Sequence, residues 1–403
     1  MAVPLNSPEF LLLCGAAILL LSGLRGRARD LAFAAVNGAF LLGLLLTTTG
    51  FVAILVFTLT GYVLARLVAA QPRAFWPALA AYALAFVYMR DYSFLHLFLP
   101  EGVLTNGRFA LVGLSFLFFK VVHVLIEARS GTMGALHFPV YMHYSLSFAT
   151  FMMGPIQRYP DFAAQWHGGT SAIAPTLEAH LDAVLRILVG LAKAYVLAGF
   201  LDSYVLTPGS WLLEAPRAAL ALGVVAFYFY LYLTFAGYCD VAIGTGSLLG
   251  VRPPENFDRP FLARNISDFW TRFHHSLTSW LTDYVFSPTY RSALRAGPFA
   301  RRPDVALGLS LLVTMLVSGL WHGTTLSFLL FGLTHGIYFV VFRGWESWAT
   351  RRFGRKRLAA WRSRPLVQAA GIALTFSAVA LSLVFFQLDA RNAFLVLERL
   401  LLP

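Results

Sequence analysis

The chain has 403 residues, of which 58% are hydrophobic and only 12% are charged. Soluble globular domains carry about 25% charged residues, so this composition excludes an ordinary soluble protein and requires lipid as part of the solvent. The net charge of +12 does not indicate nucleic-acid binding, because the basic residues form short clusters between apolar runs. These clusters are Arg25–Arg29, Arg291–Arg302 and Arg351–Arg364.

The apolar runs predict the membrane spans. At about 20 residues per crossing plus short loops, a chain of this length accommodates roughly ten spans. The runs are Phe10–Leu24, Leu31–Ala65 (long enough for two spans), Ala74–Met89, Phe109–Phe119 (too short to cross alone), Thr132–Gln157, Thr176–Phe200, Ala218–Cys239, Val305–Phe342 (again long enough for two) and Pro365–Leu388. They predict an all-α polytopic membrane protein with nine to eleven spans.

The orientation of these spans follows from the basic clusters. The first run has no basic stretch before it and no small-residue cleavage site after it, so we expect a retained span rather than a signal peptide. Arg25–Arg29 and Arg343–Arg364 are expected on the cytoplasmic side, which places the N-terminus outside. The simplest location is the inner membrane of a bacterium. Cys14 and Cys239 form neither a disulfide framework nor a metal set.

A polar segment, Val251–Arg302, interrupts the apolar pattern. From Ile266 onward, aromatic and aliphatic residues recur at spacings of three and four, which predicts one continuous helix with an aromatic stripe and a cap at Asn265 or Ser267. Two interpretations are open. The helix can lie at the headgroup level, where aromatic residues are common, or it can be a functional helix lying partly in the bilayer.

His322 is the most informative single residue. It lies near the middle of the run Val305–Phe342, between Gly319 and Gly323, which can break a helix or admit another backbone. Ionisable residues at such depth are costly and usually serve a function. A neutral imidazole there can take a proton from a hydroxyl and return it to a leaving group. His274, in the polar segment, is the predicted partner of His322.

The other histidines are predicted to be structural. If one helix joined His322 to His335, the two side chains would lie about 20 Å apart on opposite faces and could not share a reaction centre. His275 must point away from its neighbour His274 on a helix. The isolated histidines His123, His137 and His143 are interpreted as helix-packing groups. The sequence predicts no metal site, because no set of His, Asp and Glu has suitable spacing.

Three functions are compatible with these residues. The sequence lacks a Gly-rich phosphate loop, a nucleophile elbow and a dinucleotide fingerprint, so acyl transfer would use a pre-activated acyl group. That reaction needs a base and a dry site but no metal. A proton-coupled transporter or flippase would also use buried histidines, although no internal repeat supports one. A non-catalytic scaffold is the third possibility.

Several motifs in order resemble the membrane-bound O-acyltransferase family, in particular its bacterial branch of alginate O-acetylases and D-alanyl transfer proteins. The resemblance covers Leu111 to the C-terminus, whereas the first hundred residues match only in hydropathy. The motifs are Met153-Gly-Pro-Ile-Gln-Arg-Tyr, Phe235-Ala-Gly-Tyr-Cys-Asp-Val-Ala-Ile-Gly, Pro254-Glu-Asn-Phe-Asp-Arg-Pro-Phe, Asp268-Phe-Trp-Thr-Arg-Phe-His-His-Ser-Leu-Thr-Ser-Trp-Leu-Thr-Asp-Tyr-Val, Gly319-Leu-Trp-His-Gly and Gly332-Leu-Thr-His-Gly.

The resemblance implies a single membrane-embedded acyltransferase domain over 1–403, a helical bundle around a central tunnel with re-entrant or interfacial helices. Within it, 1–110 would be peripheral spans, 111–345 the catalytic core containing 251–302, and 346–403 the C-terminal spans. Phe273 stands where many relatives have Trp. This is a mild departure that leaves the implied chemistry intact. The Val-Phe-Ser-Pro-Thr-Tyr sequence after Tyr284 also departs from the acetylases. With Gly113-Leu-Ser and Ile126-Glu-Ala-Arg, it favours the D-alanyl-transfer side without fixing the acyl group.

The resemblance also implies the site and its partners. His322 would be the principal catalytic residue, as base or acyl relay, and His274 would assist. The donor would be acetyl-CoA or the thioester of an acyl carrier protein on the cytoplasmic side, with no bound cofactor. An envelope polymer would be the acceptor, served by an exported accessory acyl-transfer or SGNH-esterase-like protein. The residues implied to line the tunnel or support the site are Trp321, Gly323, Asp268, Trp270, Arg272, Ser276, Trp280, Asp283, Tyr284, Asn256, Pro155, Arg158, Tyr238 and Asp240.

Overall fold

The computed structural model describes residues 8–22, 24–45, 48–99, 111, 113–167, 176–295 and 297–402. In these ranges the regular secondary structure is helical, and the β-type pairing consists of an isolated antiparallel bridge between Phe257 and Phe273. The prediction of an all-α protein is therefore confirmed.

The helices follow one another with short connections. The first ten α-helices are α1 Pro8–Ser22, α2 Gly26–Leu45, α3 Thr48–Ala70, α4 Phe75–Arg90, α5 Leu114–Ser130, α6 Phe138–Leu146, α7 Tyr159–His167, α8 Leu177–Leu191, α9 Ala198–Asp202 and α10 Trp211–Glu214. The others are α11 Arg217–Leu248, α12 Ile266–Arg272, α13 His275–Leu281, α14 Ser287–Arg295, α15 Gly297–Ala300, α16 Pro303–His322, α17 Leu326–Phe353, α18 Arg355–Arg362, α19 Pro365–Ser382, α20 Val384–Gln387 and α21 Ala390–Leu401. Short 3₁₀ helices lie at Pro72–Ala74, Ser93–Leu97 and Pro260–Leu262, and π-helical turns at Ala192–Leu197 and Thr282–Phe286.

Six helices of the described residues are long and apolar enough to cross a membrane. At most 39% of the residues in their most apolar windows are buried within the protein, so the remaining apolar surface is available to lipid. The two spans predicted within Val305–Phe342 correspond to two of these candidates, α16 and α17. The total of nine to eleven spans remains a prediction. The six candidate spans are Thr49–Ala70, Leu177–Asp202, Arg217–Leu248, Pro303–His322, Leu326–Phe353 and Pro365–Gln387.

The chain forms two compact units. The first contains Met1–Leu197 and Leu233–Glu255, and the second contains Ala198–Tyr232 and Asn256–Pro403. Helix α11 therefore contributes its beginning to the second unit and its end to the first. The division into peripheral spans, catalytic core and C-terminal spans that the family resemblance implies remains a prediction.

In the first unit, helix α6 ends earlier than the sequence predicts, at a contact with the buried side chain of Lys120. The run Thr132–Gln157 was expected to cross the membrane, and this is wrong, because α6 covers only nine residues and is followed by turns. The Nζ amino group of Lys120 donates to the Tyr144 carbonyl in the last turn of α6 and to the Thr150 hydroxyl, both at 2.9 Å. This donor satisfies a carbonyl that the helix itself leaves free.

The run Phe109–Phe119 lies partly outside the described residues. Its later part begins α5, which continues to Ser130. The described part of the run from Leu114 onward is therefore the start of a longer helix.

In the second unit, an aromatic core packs the polar segment against the spans. Phe269 and Trp270 of α12 belong to one buried cluster with Tyr228 of α11, Phe331 of α17 and Val379 of α19. Burial of large aromatic side chains is the main stabilising contribution available to such short helices. The cluster thereby holds α12 beside α17.

The orientation of the chain gives a direct prediction. Arg27 and Arg355 are exposed and lie in the two basic clusters expected in the cytoplasm, whereas Cys14 and Cys239 are buried. We expect Arg27→Cys and Arg355→Cys to resist a membrane-impermeant thiol reagent in intact cells and to react after permeabilisation. The unaltered chain, with its two buried cysteines, is the control. Labelling of position 355 in intact cells would contradict the orientation.

Candidate active site

The candidate site is built on the sharp turn between α16 and α17. Gly319 and Gly332 bring the two helices into backbone contact, since a Cβ atom on Gly319 would lie 3.2 Å from the Gly332 Cα and would overlap the Phe328 carbonyl oxygen. A Cβ on Gly323 would overlap the Phe328 ring. Small residues at such crossings allow membrane helices to pack closely. The turn places His322 at the last residue of α16.

One buried tryptophan contacts both candidate histidines. The Trp321 ring centroid lies 4.7 Å from that of His322 and 5.8 Å from that of His274. His322 is half-buried, and its ring also contacts Phe386 and Phe331 at 5.1 and 5.8 Å. The structure thus brings the two predicted histidines to one aromatic cluster.

The backbone at His274 corrects a sequence prediction. The continuous helix expected from Ile266 to Tyr284 is wrong, because α12 ends at Arg272, Phe273 is extended, and α13 begins at His275. His274 adopts a left-handed conformation with φ 51° and ψ 49°. Such a conformation is uncommon for a residue with a side chain and costs on the order of 1–3 kcal/mol, so the surroundings must impose it.

Contacts from a distant part of the chain impose this break. The amide of Asp258 donates to the Arg272 carbonyl at 2.9 Å, and the amide of His275 donates to the Asn256 carbonyl at 3.0 Å. These bonds engage backbone groups that a continuous helix would use itself. The predicted cap is confirmed at the other end of α12, where the Asn265 side chain accepts from the Asp268 amide at 2.9 Å.

The break turns His274 inward and His275 outward. His274 is 1% exposed, whereas His275 is exposed, which confirms that the two neighbours point in different directions. Burial lowers the pKa of His274 well below its ordinary value, and the neighbouring His322 lowers it further. The His274 ring is therefore uncharged at neutral pH and able to accept a proton.

His335 contacts the same aromatic cluster through Phe331. The premise of one continuous helix from His322 to His335 is wrong, because α16 ends at His322, and both imidazoles contact the Phe331 ring. Both His335 nitrogens are bonded: the Trp270 indole donates to Nδ1 at 3.2 Å, and Nε2 lies 2.8 Å from the Ser382 hydroxyl. Since an indole N–H can only donate, the His335 proton lies on Nε2. These bonds support a structural role.

Ten of the support residues implied by the family resemblance lie in the second unit. Asp268 accepts from the Arg272 guanidinium at 2.7 Å, an ion pair across one turn of α12. The Trp280 and Tyr284 rings contact each other at 5.1 Å, and Asp283 is exposed. The support residues in this unit are Trp321, Gly323, Asp268, Trp270, Arg272, Ser276, Trp280, Asp283, Tyr284 and Asn256.

The other support residues lie in the first unit, which also contains an ion-pair network. The Asp240 carboxylate accepts from Arg186 at 3.1 Å and from Lys193 at 2.7 Å. Charges within candidate spans are costly unless they are paired, and this pairing lowers the cost of Arg186 and Lys193 within the candidate span Leu177–Asp202. The support residues in this unit are Pro155, Arg158, Tyr238 and Asp240.

Three neighbours of the histidines were not predicted from the sequence. Phe331 lies four residues before His335, so helical periodicity alone could have placed the two on one face. Ser382 and Phe386 contact His335 and His322 from about 50 or more residues away, and a local pattern cannot reveal such contacts.

The arrangement is suited to proton transfer in a dry environment. Two imidazoles meet at one tryptophan, and the neutral ring of His274 is shielded from solvent. An uncharged imidazole can serve as a general base, and aromatic walls limit access of water to a reactive ester or thioester.

Comparison with known proteins agrees with this chemistry. The sequence model of the MBOAT, membrane-bound O-acyltransferase family, matches residues 33–380. A teichoic acid D-alanyltransferase of Streptococcus thermophilus is 32% identical over 70% of this chain and 69% of its own length. A Bacillus subtilis protein of the same description is 27% identical over 86% and 89%.

A second group of relatives carries a different description. A probable alginate O-acetylase of Pseudomonas syringae pv. tomato is 31% identical over 57% of this chain and 42% of its own length. The family match includes both candidate histidines, Trp321 and all six candidate spans except the last seven residues of Pro365–Gln387. The chain therefore belongs to the membrane-bound O-acyltransferase family and is a multi-pass membrane acyltransferase.

Proposed function

We propose that this protein transfers an acyl group from a cytoplasmic thioester donor to a hydroxyl of a cell-envelope polymer or of a relay partner. His322 is the base or acyl-relay residue, and His274 assists it. The observation that carries the proposal is the contact of both imidazoles with Trp321 in an aromatic, largely buried cluster.

The proposed step balances without a metal or a redox partner. The acceptor oxygen attacks the thioester carbonyl carbon while neutral His322 takes the hydroxyl proton. A C–O bond forms, the C–S bond breaks, and the proton passes from His322 to the thiolate sulfur. A base in this position needs access to the acceptor, and His322 is the less buried of the two histidines.

We propose D-alanyl as the acyl group. The alignment with the Bacillus subtilis teichoic acid D-alanyltransferase spans 86% of this chain, whereas that with the Pseudomonas syringae alginate O-acetylase spans 57%. A carrier-protein thioester is then the donor. The exposed basic helix α18 is suited to an acidic carrier protein on the cytoplasmic side of a bacterial inner membrane.

An exported accessory acyl-transfer or SGNH-esterase-like protein is proposed to complete the transfer. In the second unit, the candidate histidines lie against a buried cluster of helices. A long polymer cannot enter such a cluster as readily as a small group or a single chain end.

The proposal is tested by thiol release. Purified protein in vesicles receives the D-alanyl thioester of a carrier protein and a hydroxyl acceptor, and free thiol and new ester are measured together. We expect both to appear in equal amounts with the intact chain and to fall to the background rate with His322→Ala. Thiol release that His322→Ala does not reduce would overturn the proposal. Equal activity with acetyl-CoA would reassign the donor and the acyl group.

A further inference from the structure

Asn256 makes a set of contacts that goes beyond a general supporting role. Its side-chain oxygen Oδ1 accepts from the backbone amide of Ser276 at 3.1 Å and from the Ser276 hydroxyl at 2.8 Å. The same oxygen lies 3.3 Å from Nδ1 of His274. Both Asn256 and His274 are 1% exposed, so solvent does not compete for these bonds.

These contacts determine where the His274 proton lies. A backbone amide can only donate, so the Asn256 atom that faces Ser276 must be the amide oxygen rather than the nitrogen. That oxygen can only accept, and the hydrogen bond to His274 therefore requires a proton on Nδ1. A neutral imidazole carries one ring proton. The remaining nitrogen, Nε2, then holds the basic lone pair.

Asn256 also acts on the backbone of the same residue pair. Its carbonyl accepts from the amide of His275 at 3.0 Å, directly after the left-handed residue His274. Asn256 thus bonds both to the backbone at the break between α12 and α13 and to the imidazole that this break turns inward. An unrelated packing asparagine would not need both contacts.

We propose that Asn256 is a positioning residue that holds His274 in the tautomer with a basic Nε2, a proposal that rests on the assisting role of His274 in the proposed function. Asn256 acts through His274 and does not itself contact substrate. By analogy with residues that orient the histidine ligands of metals, loss of the acceptor should lower the rate roughly ten- to a hundredfold.

The first test uses pH–rate profiles of acyl transfer. Asn256→Leu removes the acceptor and should lower kcat with little change in KM. Asn256→Asp keeps an acceptor and should recover part of the rate. Its negative charge favours protonated His274 and so raises the pKa of that imidazole. As the pH falls, the neutral form is therefore lost at a higher pH than in the intact protein. The acid limb should therefore move upward by about one pH unit or more. Ionisable groups near His274 in the described part of the chain include His322, across Trp321, its neighbour His275, and Arg272, which is paired with Asp258 and Asp268.

Asn37 provides the matched control. It is a buried asparagine of the first unit whose side-chain oxygen accepts from the Phe148 amide at 2.9 Å. Asn37→Leu is expected to lower thermal stability without moving the acid limb. An unchanged acid limb in Asn256→Asp, or the same shift in Asn37→Leu, would overturn the proposal.

A second measurement does not depend on the variants being active. In the intact protein with ¹⁵N-labelled histidine, the ring signals that disappear in His274→Gln should be those of a neutral imidazole protonated at Nδ1. Protonation at Nε2 would overturn the inference even if the Asn256 variants fail to fold. The proposed function fails separately, if His322→Ala keeps its transfer activity, and that result would leave the tautomer assignment standing.

Discussion

His322→Ala is expected to lower acyl transfer by about 10²–10⁴-fold, the usual cost of a lost general base. The same change should leave the protein in the membrane, because interhelical polar contacts of single side chains are worth only about 0.6–2 kcal/mol. The measurement is acyl incorporation in cells that lack the native gene, normalised to the amount of each variant in the membrane. Near-normal incorporation would contradict the role of His322.

His335→Ala is the matched control in the same aromatic cluster. It removes the acceptor of the buried Trp270 indole N–H, while the Ser382 hydroxyl keeps its bond to the Val379 carbonyl. A buried donor left unsatisfied costs about 1–3 kcal/mol. We expect lower thermal stability in detergent but a smaller loss of transfer per folded molecule than in His322→Ala. If transfer per folded molecule fell as far in His335→Ala as in His322→Ala, His335 would be assigned to the chemistry.

Gly332→Leu is expected to remove most of the folded protein. Its Cβ would overlap the Met315 carbonyl oxygen and lie 3.2 Å from the Gly319 Cα, so α16 and α17 would have to separate. Overpacking of a well-packed interior usually costs about 1–3 kcal/mol, and a contact with backbone leaves no side chain that could move aside, so we expect the upper end of this range or more. The readout is the amount of monodisperse protein extracted from the membrane.

Gly344→Leu separates this packing effect from the introduction of leucine. Gly344 lies on the same helix, and a Cβ there has no atom within 4 Å among the described residues. We expect this variant to be extracted in normal amounts. If the Gly332 and Gly344 variants behaved alike, the close approach of the two helices would not contribute to stability.

The sequence predicts those features that depend on local composition. The two apolar helices on either side of His322 and the Asn265 cap follow from hydropathy and capping preference. Each of these depends on residues within one or two helical turns, and the structure confirms each of them.

The predictions that fail depend on distant residues. The aromatic periodicity continues through Phe273 and His274, and the break there is imposed by bonds from Asn256 and Asp258. The helix expected through Thr132–Gln157 ends where Lys120, which lies on another helix, reaches Tyr144. Periodicity within a segment cannot report hydrogen bonds that arrive from elsewhere in the chain, so the geometry at His274 could not have been predicted.

The position of His322 at the last residue of α16 has an electrostatic consequence. The aligned peptide dipoles of a 20-residue helix give its C-terminal end a partial negative charge of about half an electron. In the proposed step, His322 becomes an imidazolium at this end, and the helix stabilises that cation by roughly 0.3–2 kcal/mol, depending on burial. The turn at Gly323–Thr325 therefore exposes the negative pole of α16 at the place where positive charge develops during the reaction.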